Sequence, residues 1–389
     1  MKKSLTLKRP PTISVVMMAK NEEQNIERCL KSIQGIANEI ILIDTGSTDK
    51  TNEIAEKYQA KIYNHPWEDN FSKHRNQSLS YAKGDWVMVI DCDEEAVFPE
   101  GKKLSDLKHF LRQLPKEVDA VSLTLKDVQQ GQVHVQYNVP KFFRRGTVQY
   151  QGIVHNEPIH PGGLAHYPSI FYYHYGYDLN NEAKQKKIAK IIRLLKKRIE
   201  TDKDDYQAYF YMAETLGWND DQAGSVEYAE KYLKYSGKPD FAKCIYFMAS
   251  LAYMKLNDKK NADKWLLAGL KRMPDNLDLL YALVEFGLLT GNPHLISKGA
   301  RNFIKQYESF EDKQAQSTSF TFSYTPEVLA FCTYHLAILQ MQEGALRLQQ
   351  IGDIISSTGA EFQSDLKQKI DTFLHSIGLQ QYQEVRKAA

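Results

Sequence analysis

The chain has 389 residues, 42% of them apolar and 25% charged, a composition that builds a packed core and excludes a disordered or fibrous protein. Fifty basic against 48 acidic residues leave a formal charge of +2, too weak a field for a nucleic-acid binder. The longest apolar runs, residues 13–19 and 86–90, fall far short of the roughly 20 residues that a bilayer span needs.

The N-terminus is basic but has no apolar stretch or cleavage site before the first strand-like run, so no secretory signal is visible and a cytoplasmic location is expected. Cys29, Cys92, Cys244 and Cys332 lie far apart with no C-x-x-C spacing, which argues against a zinc site or a disulfide framework. Apolar runs at 13–18, 39–43, 61–64, 86–90 and 120–125 read as strands, with helical patterns at 22–33, 48–58 and 71–82 between them. That alternation is the signature of an α/β sheet. Three of the strands run into polar clusters: Lys20-Asn21-Glu22-Glu23, Asp44-Thr45-Gly46-Ser47-Thr48-Asp49 and Asp91-Cys92-Asp93-Glu94-Glu95. Open α/β sheets hold their ligands there, outside the carboxyl ends of the strands.

From about residue 180 only helical periodicity remains. A weak repeat places similar hexapeptides at Tyr211, Phe247 and Tyr281, about 36 and 34 residues apart, a tetratricopeptide-like period. Residues 314–323 read as a connector. Thr325-Pro326-Glu327 reads as a helix start, opening a last helical segment at 328–379 with a break near 356–359. The expected division is an α/β domain at 1–180, a helical-repeat region at 181–312 and a C-terminal helical segment at 313–389.

Asp91 and Asp93 form a D-x-D at a strand end. Mg²⁺ and Mn²⁺ take few carboxylates plus the oxygens of a diphosphate, so such a pair can bridge protein to nucleotide; alone, it equally marks a solvated turn. Asp44 closes a second strand before a loop whose backbone donors and Ser47 are free for polar contacts, while Ser47 or Thr48 is also placed to cap the helix that follows. Arg75 lies in the first turns of a helix, where a guanidinium fork suits diphosphate oxygens or simply faces water. The basic stretch Lys184, Lys186, Lys187, Lys190, Arg193, Lys196, Lys197, Arg198 reads as the solvated face of an amphipathic helix.

Taken in order, Ala19-Lys20-Asn21-Glu22-Glu23, Ile43-Asp44-Thr45-Gly46-Ser47-Thr48-Asp49, Phe71-Ser72-x-x-Arg75-Asn76 and Asp91-Cys92-Asp93-Glu94 resemble the family 2 glycosyltransferases of GT-A fold. The resemblance implies a UDP-sugar donor and a Mn²⁺ or Mg²⁺ ion. It implies a nucleotide site of Ala19, Asn21, Glu22, Asp44, Ser47, Arg75, Asp91 and Cys92, with Asp93 on the metal; Cys92 stands where many members carry a small residue such as Ala. Gly152-Ile153-Val154-His155-Asn156-Glu157-Pro158 and Tyr173-His174-Tyr175-Gly176-Tyr177 extend the likeness to members with a C-terminal helical-repeat region, and within them to the S-glycosyltransferases of bacteriocin peptides. That implies His174 as a further metal ligand, and His155 and Glu157 in the acceptor pocket, one of them the base.

On an extended segment His155 and Glu157 share a face, and either can take a proton from a nucleophile. His174, among Tyr172, Tyr173, Tyr175 and Tyr177, also suits an aromatic sheet edge. The expected activity is inverting transfer of glucose or N-acetylglucosamine from a UDP-sugar to a peptide cysteine, or serine, of a bacteriocin precursor, with the helical half recognising the peptide and forming a homodimer contact. The alternatives are a cell-envelope glycan or lipid-linked acceptor, and an inactive donor site serving as a binding scaffold.

Overall fold

β1 (Ile13–Ala19) is apolar on both faces except at Ser14, and it is buried along nearly its whole length, as a central parallel strand must be. The computed structural model describes residues 9–101, 103–176, 180–236, 242–309 and 326–357. After β1 come α1 (Ile26–Ser32), β2 (Glu39–Asp44), α2 (Thr51–Lys57), β3 (Lys61–Asn64), α3 (Phe71–Tyr81), β4 (Trp86–Val89), β5 (Glu94–Val97) and α4 (Leu104–Gln113). Then follow β6 (Val118–Gln129), β7 (Gln132–Arg144), β8 (Gln149–Gln151), β9 (Glu157–Ile159) and β10 (Gly163–His174).

Among the described residues eight strands make one mixed sheet in the order β3-β2-β1-β4-β7-β6-β10-β5, and β8 and β9 pair separately. β3, β2, β1 and β4 are mutually parallel, whereas β7 runs antiparallel to β4 and to β6. The register sets Ala19 beside Asp44 and Asp44 beside Asn64, so the polar clusters leave the sheet along one edge. The chain reverses its direction of strand addition between β1 and β4, where such sheets open a crevice.

Among the described residues only helices follow: α5 (Asn181–Thr201), α6 (Tyr206–Trp218), α7 (Gln222–Tyr235), α8 (Ala242–Lys255), α9 (Lys259–Arg272), α10 (Leu277–Thr290), α11 (Pro293–Glu308) and α12 (Pro326–Ser357). An α/β domain on a mixed sheet, followed by a region that is helical throughout its described residues, is thus what the chain forms. Two compact units divide it, the first reaching Ala252 and the second beginning at Tyr253. In the first, Val154 packs with Leu194 and Leu195 of α5 and Ala208, Met212 and Leu216 of α6. Each such buried leucine contributes about 1.5–3 kcal/mol, which fixes α5 and α6 against the 152–157 segment. In the second, Leu277, Leu280 and Val284 of α10 pack with Ile296, Ala300 and Phe303 of α11 and with Cys332 of α12. No helix among the described residues is long and apolar enough to cross a membrane.

The expected strands at 13–18, 39–43, 61–64, 86–90 and 120–125 and the helix at 71–82 all form, within a few residues at their ends. Capping by Ser47 or Thr48 does not occur: α2 begins at Thr51, and Ser47 and Thr48 bond to Asn21 instead. α12 starts at Pro326 and runs to Ser357. The 314–323 connector, the Thr325 cap and the break and helix beyond 357 lie outside the described residues.

Candidate functional site

Three loops at the carboxyl edge of the sheet interlock. Asn21 takes the left-handed conformation (φ 57°), which asparagine tolerates better than most residues. Its N–H donates to Ser47 Oγ at 3.0 Å and its Oδ1 accepts from the Thr48 N–H at 2.8 Å. Asp44 is 4% exposed and accepts the Ser47 N–H at 3.0 Å across the turn at Gly46, whose φ of 106° excludes a side chain there. The carbonyl of Ala19 accepts both the N–H and the hydroxyl of Thr45. Burial, together with the negative charges of Asp93 and Asp91, pushes the Glu22 carboxyl above its ordinary pKa; the first and third loops therefore meet.

Beneath the D-x-D lies a pair of buried cations. Arg75 reaches up from α3 to Asp91 Oδ1 at 2.6 Å, with 8% of its side chain exposed against 39% for Asp91. Its Nε and Nη1 are buried and have no partner. Arg75 is therefore not a surface arginine: its guanidinium lies buried against Asp91. Lys141 of β7 holds both oxygens of Glu94, at 2.6 and 2.8 Å, and Glu94 Oε2 accepts the Asp91 N–H at 2.9 Å. Although burial opposes it, the Arg75 and Lys141 charges keep the Asp91 carboxyl well below the usual carboxylate range. Cys92 turns the other way, into the core, with Sγ 3.5 Å from the Met18 carbonyl, so its backbone alone is available to a ligand.

His174 ends β10, in register with Asp127 of β6 and Glu94 of β5. Its Nδ1 lies 2.6 Å from Asp127 Oδ1 and its Nε2 lies 3.5 Å from Asp93 Oδ2. Burial disfavours the imidazolium, but the bonds to Asp127 and Asp93 outweigh it and raise the pKa to about 10. A carboxylate behind the outer nitrogen, with the inner one facing a second carboxylate, is the usual environment of a metal-ligating histidine. The space over Gly176 is shared by the two side chains: a Cβ there would overlap Asp93 Oδ2 and come within 2.6 Å of His174 Nε2. Among the described residues no third His, Cys, Asp or Glu completes a ligand set, so a hard divalent ion held here would need oxygens from its substrate.

The Phe71-Ser72-x-x-Arg75-Asn76 motif has a second task. Its Phe71 N–H and Ser72 hydroxyl donate to the Ile153 and Gly152 carbonyls, and Asn76 makes two bonds to the Tyr150 backbone. This pins the segment that leads to His155 and Glu157. The expected shared extended face is not what forms, because His155 is left-handed (φ 46°) and β9 begins only at Glu157. The two side chains meet instead through Tyr211 of α6. The His155 ring stacks on Tyr211 at 4.2 Å, and Glu157 accepts the Tyr211 hydroxyl at 2.9 Å and Gln207 Nε2 at 2.7 Å. Burial, then Arg198 and Lys187, pushes the His155 pKa down to about 4, and its Nε2 is buried with no partner. Lys187 also donates to the Gly176 carbonyl at 3.0 Å, which links the His155 neighbourhood to the Asp93–His174 pair.

The basic face of α5 is only partly solvated. Lys184, Lys186, Lys196 and Lys197 are exposed, but Arg193 pairs with Asp69 and Lys190 lies over the Trp67 ring. Arg198 is buried, bonded to Asp205 and the Val154 carbonyl. Asp127, Lys141 and Gln207 escape the sequence reading, in which Lys187 belongs only to a solvated basic face and Tyr211 to a helical repeat. Only the four-residue spacing of Gln207 and Tyr211 on one helix face offers any signal there.

Residues 14–167 match the Glycosyl transferase family 2 profile. A TPR repeat-containing protein of Synechococcus elongatus is 30% identical over 256 residues, 61% of each protein. The SPbeta prophage-derived glycosyltransferase SunS of Bacillus subtilis is 25% identical over 257 residues, 64% of this chain and 60% of its own. The alignments thus span about three fifths of the length of these relatives. Among solved structures, glucosyl-3-phosphoglycerate synthase of Mycobacterium tuberculosis, in complex with Mn²⁺, UDP and glucosyl-3-phosphoglycerate, aligns with 31% of this chain and 45% of its own at 28% identity, with a TM-score of 0.24. Residues 14–167 are thus similar to the Glycosyl transferase family 2, and the chain runs on from them into a region that is helical throughout its described residues.

Proposed function

We propose that this chain is a metal-dependent, inverting glycosyltransferase that moves glucose or N-acetylglucosamine from a UDP-sugar to a cysteine thiol of a peptide. The observation that carries the reading is the pairing of two centres. Asp93 and His174 converge over Gly176, whose carbonyl accepts from Lys187, and the Lys187 charge acts on His155, which shares Tyr211 with Glu157. Around the donor, Asn21, Glu22, Asp44 and Ser47 shape the nucleoside side, and Arg75 fixes Asp91. A Mn²⁺ or Mg²⁺ ion between Asp93 and His174 would offset the charge of the departing diphosphate.

Glu157 is the better placed base. Two donors orient its carboxylate and each oxygen keeps a lone pair free, whereas His155 Nε2 is sealed from water. Glu157 takes the thiol proton, sulfur attacks the anomeric carbon, and the bond from that carbon to the β-phosphate oxygen breaks with inversion, releasing UDP. The motif likeness to bacteriocin-peptide S-glycosyltransferases supports the peptide acceptor.

The test is incubation with UDP-glucose or UDP-N-acetylglucosamine, Mn²⁺ and a cysteine-containing peptide, followed by mass spectrometry. Addition of one sugar to the cysteine peptide is expected; no addition with either donor would overturn the reading. A local probe of the metal pair is Gly176→Ala, whose Cβ displaces Asp93 or His174. It should weaken Mn²⁺-dependent UDP binding about 10- to 100-fold by calorimetry, with an unchanged circular dichroism spectrum.

A further inference from the structure

α6 turns one face toward the 155–157 segment. Gln207, Tyr211 and Glu214 follow one another at four- and three-residue spacing, so they lie on the same side of the helix, and the exposed Trp218 continues the stripe. The first two are committed to Glu157. Glu214 is partly buried and accepts no hydrogen bond from any described residue. Its charge nevertheless acts on the Tyr211 hydroxyl, so it sits beside the Glu157 site. Burial alone holds its carboxyl up at about 7, and no lysine or arginine among the described residues comes close enough to offset that burial. Also on Tyr211 is His155, whose ring stacks there and whose Nε2 is buried with no hydrogen-bond partner.

An unpaired carboxylate on the helix face that holds Glu157 is unfavourable until a cation arrives. The arrangement differs from the rest of this region, where Arg193, Arg198 and Lys187 each have an oxygen partner within the protein. Resting on the peptide-acceptor reading above, we propose that Glu214 is a specificity-determining residue that binds a lysine or arginine side chain of the acceptor next to the modified cysteine. Gln207 and Tyr211 then do double duty: they orient Glu157 and line the path between the two acceptor residues.

The experiment compares two synthetic peptides that differ only in carrying lysine or norleucine beside the cysteine, each assayed with the full-length wild type and with Glu214→Gln. A charge-assisted bond of this kind should favour the lysine peptide in kcat/KM about tenfold or more in the wild type. The ratio should fall to about one in Glu214→Gln, a change that mere loss of stability would not produce because both peptides meet the same enzyme. Equal use of the two peptides by the wild type, or a preference that survives Glu214→Gln, overturns this inference alone. Modification of neither peptide by the wild type overturns the peptide-acceptor reading, and this one with it.

Discussion

Asp93→Asn should leave a folded protein without measurable sugar transfer. The substitution keeps the size of the side chain and its partly exposed position but removes the negative charge that faces His174 Nε2 across 3.5 Å. Asp93 is the only carboxylate of the proposed metal pair, so the variant keeps an oxygen donor but loses the negative charge that a hard divalent ion favours. Stabilisation of the leaving diphosphate by a metal is worth several kcal/mol, so turnover should fall by roughly 10³-fold or more. Calorimetry with Mn²⁺ and UDP should lose its heat in parallel. The fold does not depend on this side chain: it is Asp91 that pairs with Arg75 and Glu94 that grips Lys141. Normal Mn²⁺-dependent UDP affinity in the variant would remove Asp93 from the metal assignment.

What could be read from the sequence was local. The strand ends at Ala19, Asp44 and Asp91 were legible because each parallel strand is an apolar run that stops at a polar turn, and a buried sheet leaves little freedom about where such runs go. The long antiparallel pairing of β6 with β7 was not legible, since Lys126, Gln136 and Asn138 break the apolar pattern. With it went the partner of His174, because Asp127 is 47 residues away and adjoins it only through register. Glu94 reads in the sequence only as part of the acidic cluster that follows Asp91; in the fold it is 2% exposed, since Lys141 arrives beneath it from β7. His155 and Glu157 were legible as a pair but not in their conformation, because the left-handed His155 depends on α5 and α6 packing against Val154. Arg198 carries the same lesson, a charge in a basic run that tertiary packing draws into the interior.

Glu157→Gln should lower kcat by about 10²- to 10⁴-fold near neutral pH, the range for removing a positioned general base. Glutamine keeps the length of the side chain, and its carbonyl can still accept from Tyr211 or Gln207, so the pocket should survive while proton uptake does not. The acceptor's chemistry then gives the defect a pH signature. A cysteine thiol ionises near 8.5, and a thiolate needs no base, so the deficit of the variant should shrink steadily as the assay moves from pH 6.5 toward 9. A serine hydroxyl stays protonated throughout that range and its deficit would not shrink. His155 does not confuse the profile: burial with Arg198 and Lys187 nearby holds its pKa at about 4, leaving it neutral across the whole window. Tyr211→Phe, which removes one of the two bonds that orient Glu157, should cost far less, about 3- to 10-fold, the worth of a single hydrogen bond. A pH-independent loss in Glu157→Gln with a cysteine peptide would assign Glu157 to acceptor positioning, and the proton would have to leave by another route.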